Sequence, residues 1–135
     1  MRKHLAIMRL STIEAILSGK KTIETRFSLH RISPFGQIGM GDLVYMKPPG
    51  EDIVGQFKVK KVFSYEGLSP QDLEKIFADF GAQIGVGDKK EDQKYQQDKK
   101  DSKFGTLIFI GESDRFLTPP VKIKKKDLRG WVVLG

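Results

Sequence analysis

The 135 residues include 24 Lys and Arg against 17 Asp and Glu, a net charge of +7, with 39% hydrophobic residues and no cysteine. This length suits one hydrophobic core, the composition is that of a folded chain, and the missing cysteines exclude disulfides, thiolate metal sites and cysteine nucleophiles. No apolar run reaches the roughly 20 residues of a membrane span, the N-terminal MRKHLAIMRL is too short in apolar residues for a signal peptide, and two histidines, His4 and His30, are too few for a histidine-rich metal site. The expectation is a cytoplasmic protein with no metal and no membrane partner.

His4 to Met8 reads as a short apolar strand. Ser11-Thr12-Ile13-Glu14 then has the S-x-x-E spacing of a capping box, in which the Ser11 hydroxyl accepts from the Glu14 amide and the Glu14 carboxylate reaches back to the Ser11 amide. Ile13, Ile16 and Leu17 continue at helical spacing as one apolar stripe, and Gly19 supplies the left-handed residue that ends such a helix. From Lys21 the period changes to two. Ile23 and Phe27 face one way while Thr22, Glu24, Arg26 and Ser28 face the other, so Glu24 and Arg26 share a strand face.

A loop with Ser33-Pro34-Phe35-Gly36 and Gly39-Met40-Gly41-Asp42 leads to a buried strand at Leu43 to Met46, and Pro48-Pro49-Gly50 turns the chain. Ile53 to Phe63 alternates, with Ile53, Phe57, Val59 and Phe63 inward and Gln56, Lys58 and Lys60 outward. Ser69-Pro70-Gln71-Asp72 has the cap, the proline and the acid of a helix start, and Leu73, Ile76, Phe77 and Phe80 follow at helical spacing up to Gly81. Segment 88–103, DKKEDQKYQQDKKDSK, holds one aromatic and no aliphatic residue, so burial can do little to order it. It reads as an exposed, partly helical insert in a single domain spanning 1–135. Thr106 to Ile110 is a strongly apolar strand, Arg115 to Ile123 is a strand that Pro119 and Pro120 restrict to an edge or bulge, and Trp131 to Leu134 closes the chain. Strands and helices do not alternate strictly, so the fold class is α+β: a small, mostly antiparallel β-barrel with two or three flanking helices.

Familiar catalytic and phosphate-binding motifs are missing. There is no G-x-S-x-G elbow, and the glycines Gly81, Gly85 and Gly87 lack the spacing of a phosphate loop. What remains is Lys20, Lys21, Glu24 and Arg26 in the stretch GKKTIETR. Arg26 can fork onto a phosphate or stack on a base, Glu24 can accept from an exocyclic amine, and Lys21 can supply a point charge or, once desolvated, accept a proton. Those roles suit a nucleotide. The plain alternative is a solvated ion pair contributing about 0–1 kcal/mol.

Gly19-x-Lys21-x-x-Glu24-x-Arg26 at a helix exit, with Gly41-Asp42 before a strand, resembles the signature of the ASCH domain family, whose fold is similar to the PUA-like barrels. The resemblance covers nearly the whole chain. It implies a cleft beside the barrel, lined by Lys21, Glu24 and Arg26 and suited to RNA or a nucleotide. It also implies two enzymatic alternatives. Some small ASCH proteins are amidohydrolases acting on N4-acetylcytidine through a lysine, a threonine and a glutamate, and others are linked to ribonuclease activity. Lys21 matches the lysine, Glu24 stands at the threonine position with Thr22 and Thr25 beside it, and Asp79 is the nearest acid for the third role. In a ribonuclease, Lys21 and Glu24 would act as base and acid against a 2′-hydroxyl.

The expected function is therefore a nucleic-acid-binding module, with a hydrolase as the alternative and no cofactor implied. Lys20, Lys21, Glu24, Arg26 and Phe35 would bind the ligand, with Lys58, Lys60, Lys124, Lys125 and Lys126 on its phosphates. Phe35, Tyr45 or Trp131 would stack on a base. The basic excess lies at the two ends of the chain, with 11 Lys/Arg to 6 Asp/Glu over 1–66 and 6 to 3 over 104–135. Brought to one face, those ends would attract a polyanion.

Overall fold

The computed structural model describes residues 1–118 and 129–135. The elements in chain order are β1 (Lys3–Ile7), α1 (Leu10–Leu17), β2 (Ile23–Ser28), β3 (Leu43–Lys47), β4 (Gly55–Glu66), α2 (Pro70–Ile84), α3 (Lys89–Lys99), β5 (Phe104–Arg115) and β6 (Trp131–Val133). The six strands form one mixed sheet in the order β2-β5-β4-β3-β1-β6, which curls into a half-barrel. Only β1 and β3 pair in parallel; β1–β6, β2–β5, β3–β4 and β4–β5 are antiparallel. A parallel pair needs a long crossover, and α1 with β2 supplies it.

Two apolar clusters cover the two faces of the sheet. Ala6, Val44, Met46, Phe57, Val59 and Ile108 pack with Ile13 and Ile16 of α1 and with Trp131. Ile23, Phe27 and Leu107 pack with Leu73, Ile76 and Ile84 of α2. Neighbouring residues Leu107 and Ile108 thus serve opposite cores, as the two-residue period of a strand requires. Edge strand β2 is sandwiched in the same way: Glu24 pairs with Ile108 and Thr25 with Leu107. Both are buried, at 5% and 3% exposure, so Glu24 is covered although it lies on the polar side of β2.

Helix α2 begins as its sequence predicts. Ser69 accepts from the Asp72 amide at 3.1 Å and the Asp72 carboxylate accepts from the Ser69 amide at 2.9 Å. It runs past Gly81 to Ile84, because Ile84 is a further buried contact and the Gly85 amide still reaches the Gly81 carbonyl. The start of α1 differs from expectation. The amides of Thr12 and Ile13 bond to the Arg9 carbonyl, so the helix opens two residues before Ser11, which is left inside its first turn. Ser11 donates instead to Glu91 and Glu14 accepts from Arg115. Gly19 does take the left-handed conformation, with φ of 82°.

Other boundaries shift by a few residues. The apolar strand at Thr106 to Ile110 is the first half of the 12-residue β5. The expected strand from Arg115 to Ile123 meets this element only at Arg115, and its prolines lie outside the described residues. Phe63 is 38% exposed and lies on the α2 face of the sheet, edge-on to Phe80 and Phe109 and not on the side of Phe57 and Val59, since the register of β4 on β5 shifts between Phe57 and Val59 and again between Val59 and Lys61, which breaks the simple alternation. The polar segment 88–103 contributes α3, whose N-cap Asp88 accepts from the Glu91 amide.

Candidate functional site

Strands β2 and β6 are the two outer strands of the sheet order. A cavity of about 490 Å³ lies where they approach, walled by β2, α3, the end of β1 and the loop around Phe35. Its charged floor comes from the turn between α1 and β2. After Gly19, the Lys21 amide returns to the Ala15 carbonyl and the Thr22 amide to the Gln83 carbonyl, so the turn is tied to both α1 and α2. This aims the Lys21 side chain inward, where the residue is 4% exposed. Its ammonium donates to the Ile84 carbonyl and sits 3.5 Å from Glu24 Oε1.

Glu24 has a second task. The Ile110 amide bonds to the Thr22 carbonyl, so in the alternating antiparallel ladder Thr25 turns its backbone toward the open edge of β2. There the Thr25 amide donates to Glu24 Oε1 at 2.9 Å, and its carbonyl accepts from the Tyr95 hydroxyl at 3.3 Å. The same hydroxyl lies 2.5 Å from Thr25 Oγ1. Glu24 and Tyr95 therefore cover an edge that would otherwise be left unpaired.

Arg26 bridges the seam. Its NH2 donates to Glu24 Oε2 at 3.3 Å and to the Ile7 carbonyl at 3.1 Å, and its NH1 donates to the Gly130 carbonyl at 3.3 Å. The guanidinium carbon stands 5.0 Å from the centre of the Trp131 ring. These bonds use three of the five guanidinium N–H donors. Behind Trp131, its indole N–H donates to His4 Nδ1 at 3.1 Å, and His4 Nε2 faces Asp42 Oδ2 at 2.9 Å. Asp42 also accepts from the amides of Arg2 and Gly39, which gives the Gly41-Asp42 pair a structural role.

Burial and charge act against each other here. Burial would raise the Glu24 carboxyl, but Lys21, Arg26 and the Thr25 amide outweigh it and hold the group below its usual range. Burial lowers Lys21, with Glu24 opposing the shift. Burial also pushes the Tyr95 phenol well up, so it stays a neutral donor. The floor is thus a carboxylate clamped between two cations.

Lys21, Glu24, Arg26, Phe35 and Trp131 line the cavity together. Lys20, Lys58 and Lys60 are exposed and lie outside its lining, as does Tyr45, which shares a sheet row with Leu5 and Gln56. Asp79 pairs with Lys75 on the surface of α2. Lys124, Lys125 and Lys126 lie outside the described residues. Tyr95, Thr25 and His4 enter the site network without having been singled out for it. For Tyr95 there was a signal, as the sole aromatic of a polar segment. Among the described residues no cluster of His, Asp or Glu could hold a metal ion, and no helix is long and apolar enough to cross a membrane.

No protein-family model and no curated protein matches the chain. Solved structures do. A serine-to-alanine variant of the ASCH protein from Zymomonas mobilis matches with a TM-score of 0.68 at 12% identity, covering 98% of this chain and 88% of that one. Another structure of the Zymomonas mobilis ASCH protein matches with a TM-score of 0.62 at 12% identity, over 84% and 69%. A hypothetical protein matches at 24% identity with a TM-score of 0.55, over 82% and 97%. Curled sheet, flanking helices and neighbours together define a PUA-like α+β half-barrel. More specifically, the chain has the ASCH-like fold.

Proposed function

We propose that this protein is a nucleic-acid-binding module that takes a base or nucleotide of RNA into the seam cavity. The observation that carries the reading is the array of buried Lys21 and Glu24 with half-buried Arg26, facing a cavity with Phe35 and Trp131 in its walls. Apolar side chains of similar volume in place of a buried ion pair are often as stable or more so, so a fold that keeps Lys21 and Glu24 buried under Arg26 is well explained by a ligand that uses their charges. The volume of about 490 Å³ falls in the roughly 300–1,000 Å³ range of small-ligand sites. The half-buried Phe35 ring suits an unstacked base, Trp131 being covered by Arg26, and the spare donors of Arg26 suit a phosphate or a base edge. The exposed Lys20, Lys58 and Lys60 would follow the backbone beyond the cavity. Titration of wild type and Arg26→Met with single-stranded RNA and with mononucleotides, at several salt concentrations, tests this. The expected result is salt-sensitive binding that the variant weakens by about tenfold or more without abolishing it; equal binding by both proteins, or none by either, rejects it.

One observation favours a second reading. Burial lowers Lys21 beside a carboxylate, which suits a proton acceptor in a hydrolase acting on a modified nucleoside or on RNA. Incubating wild type and Lys21→Met with N4-acetylcytidine and with a mixed RNA pool decides it. Turnover by wild type alone supports the enzyme, and no turnover leaves binding.

A further inference from the structure

The Trp131 wall is held from behind by residues that do not line the cavity. Trp131 is the sole tryptophan and is 2% exposed, standing between Arg26 in front and His4, fully buried, behind. An indole nitrogen can only donate, so His4 Nδ1 must accept and Nε2 must carry the proton that Asp42 receives. The Asp42 carboxylate is itself fixed by the backbone amides of Arg2 and Gly39. Each group in the row Asp42, His4, Trp131 has one available role, so its orientation is determined from the backbone outward. The strand carrying Trp131 is only three residues long and, among the described residues, pairs with β1 alone. A strand so short contributes little rigidity of its own, and the indole is held by its packing in the apolar core and by this side-chain tether.

We propose that His4 and Asp42 are positioning residues for the seam cavity: they set the Trp131 ring, and through it the Arg26 guanidinium that meets the ligand. Their effect on affinity rests on the nucleic-acid reading above, whereas their effect on Trp131 does not. A satisfied polar core without a positioning role would have the same bonds but would act on stability alone.

The test combines one ligand-free and one ligand-bound measurement on the full chain. His4→Phe keeps an aromatic ring, somewhat larger, and removes both nitrogens; Asp42→Asn, the milder change, covers the case in which the first fails to fold. Without ligand, nitrogen NMR of wild type should find the His4 proton on Nε2, and the variants should red-shift Trp131 emission and raise its quenching by acrylamide. With a short single-stranded RNA, His4→Phe should weaken binding about tenfold in the wild-type background and less than about twofold in an Arg26→Met background, since coupled sites are non-additive. A proton on Nδ1, unchanged emission in a folded variant, or an equal loss in both backgrounds overturns the proposal. If wild type binds no RNA, the nucleic-acid reading fails on its own, and the NMR and emission results still decide whether His4 and Asp42 position Trp131.

Discussion

Arg26 and Trp131 meet face to ring across the seam, the guanidinium carbon 5.0 Å from the ring centre, and this contact joins the two outer strands of the sheet order, which share no backbone ladder. The bonds from Arg26 to the carbonyls of Ile7 and Gly130 reinforce it. One side chain thus closes the fold and opens onto the cavity.

Replacing Arg26 with Met should show both roles. Loss of the cation–π contact and of bonds from a charged donor should lower stability by about 1–3 kcal/mol. Urea unfolding would report this as a lower midpoint with unchanged slope, and the Trp131 emission should move to the red.

Glu24→Gln should be more damaging than a surface carboxylate change. It leaves Lys21 buried beside a neutral group, and breaking a buried pair from one side costs roughly 3–5 kcal/mol. A double variant with Lys21→Met should recover part of the loss; equilibrium denaturation of wild type, the two single variants and the double variant measures the coupling.

Acid should weaken the fold through Glu24 and Asp42. Burial would raise both, but Lys21 and Arg26 hold Glu24 down, and the Arg2 amide, His4 and the Gly39 amide hold Asp42 down. Their folded values lie below the ordinary 4.5 and 3.8, so below those values the unfolded chain binds more protons. The stability they contribute is complete above the ordinary values and is lost as pH falls through the folded ones. Melting temperatures from about pH 6 down to about pH 3 should decline accordingly, with a shallower decline for Asp42→Asn relative to its own value at neutral pH.

Tyr95→Phe should keep the ring packed edge-on against Phe77 while removing the hydroxyl bonded to Thr25. A loss of about 1 kcal/mol is expected. Hydrogen exchange should quicken in α3, which has no fully buried residue and docks through Tyr95, Glu91 and Asp92.

Gly55→Ala tests the tight crossing of β4 and β5. An added Cβ would meet the Asp114 carbonyl oxygen at 2.8 Å and side chains of Leu17 and Met46 at 3.4 Å. Backbone cannot step aside as a side chain can, so the substitution should cost about 1–3 kcal/mol, visible as a lower melting temperature.

Much of this architecture is local and could be read from the chain. Ser69, Pro70 and Asp72 start α2, Gly19 ends α1, and the period-two pattern of Glu24 and Arg26 puts them on one face, because each depends on neighbours a few residues away. The Ser11–Glu14 box has the same local form and does not close, since Glu91 and Arg115, distant in sequence, take both side chains. Phe63 changes to the α2 face of the sheet because β4 slips on β5, and a strand's own alternation carries no mark of its partner's register.

The amino-acid order by itself determined the class of fold, the strand that carries the charged motif and the residue types at the site. Only the tertiary structure decided that Lys21 and Glu24 are buried, that Glu24 seals a strand edge, and that Arg26 reaches Gly130, 104 residues away, with Trp131 beside it. The physical reason is that burial, desolvation and partner choice are set by what packs over a residue. For β2 that cover comes from α2, α3 and the far edge of the sheet, none of which its own sequence specifies.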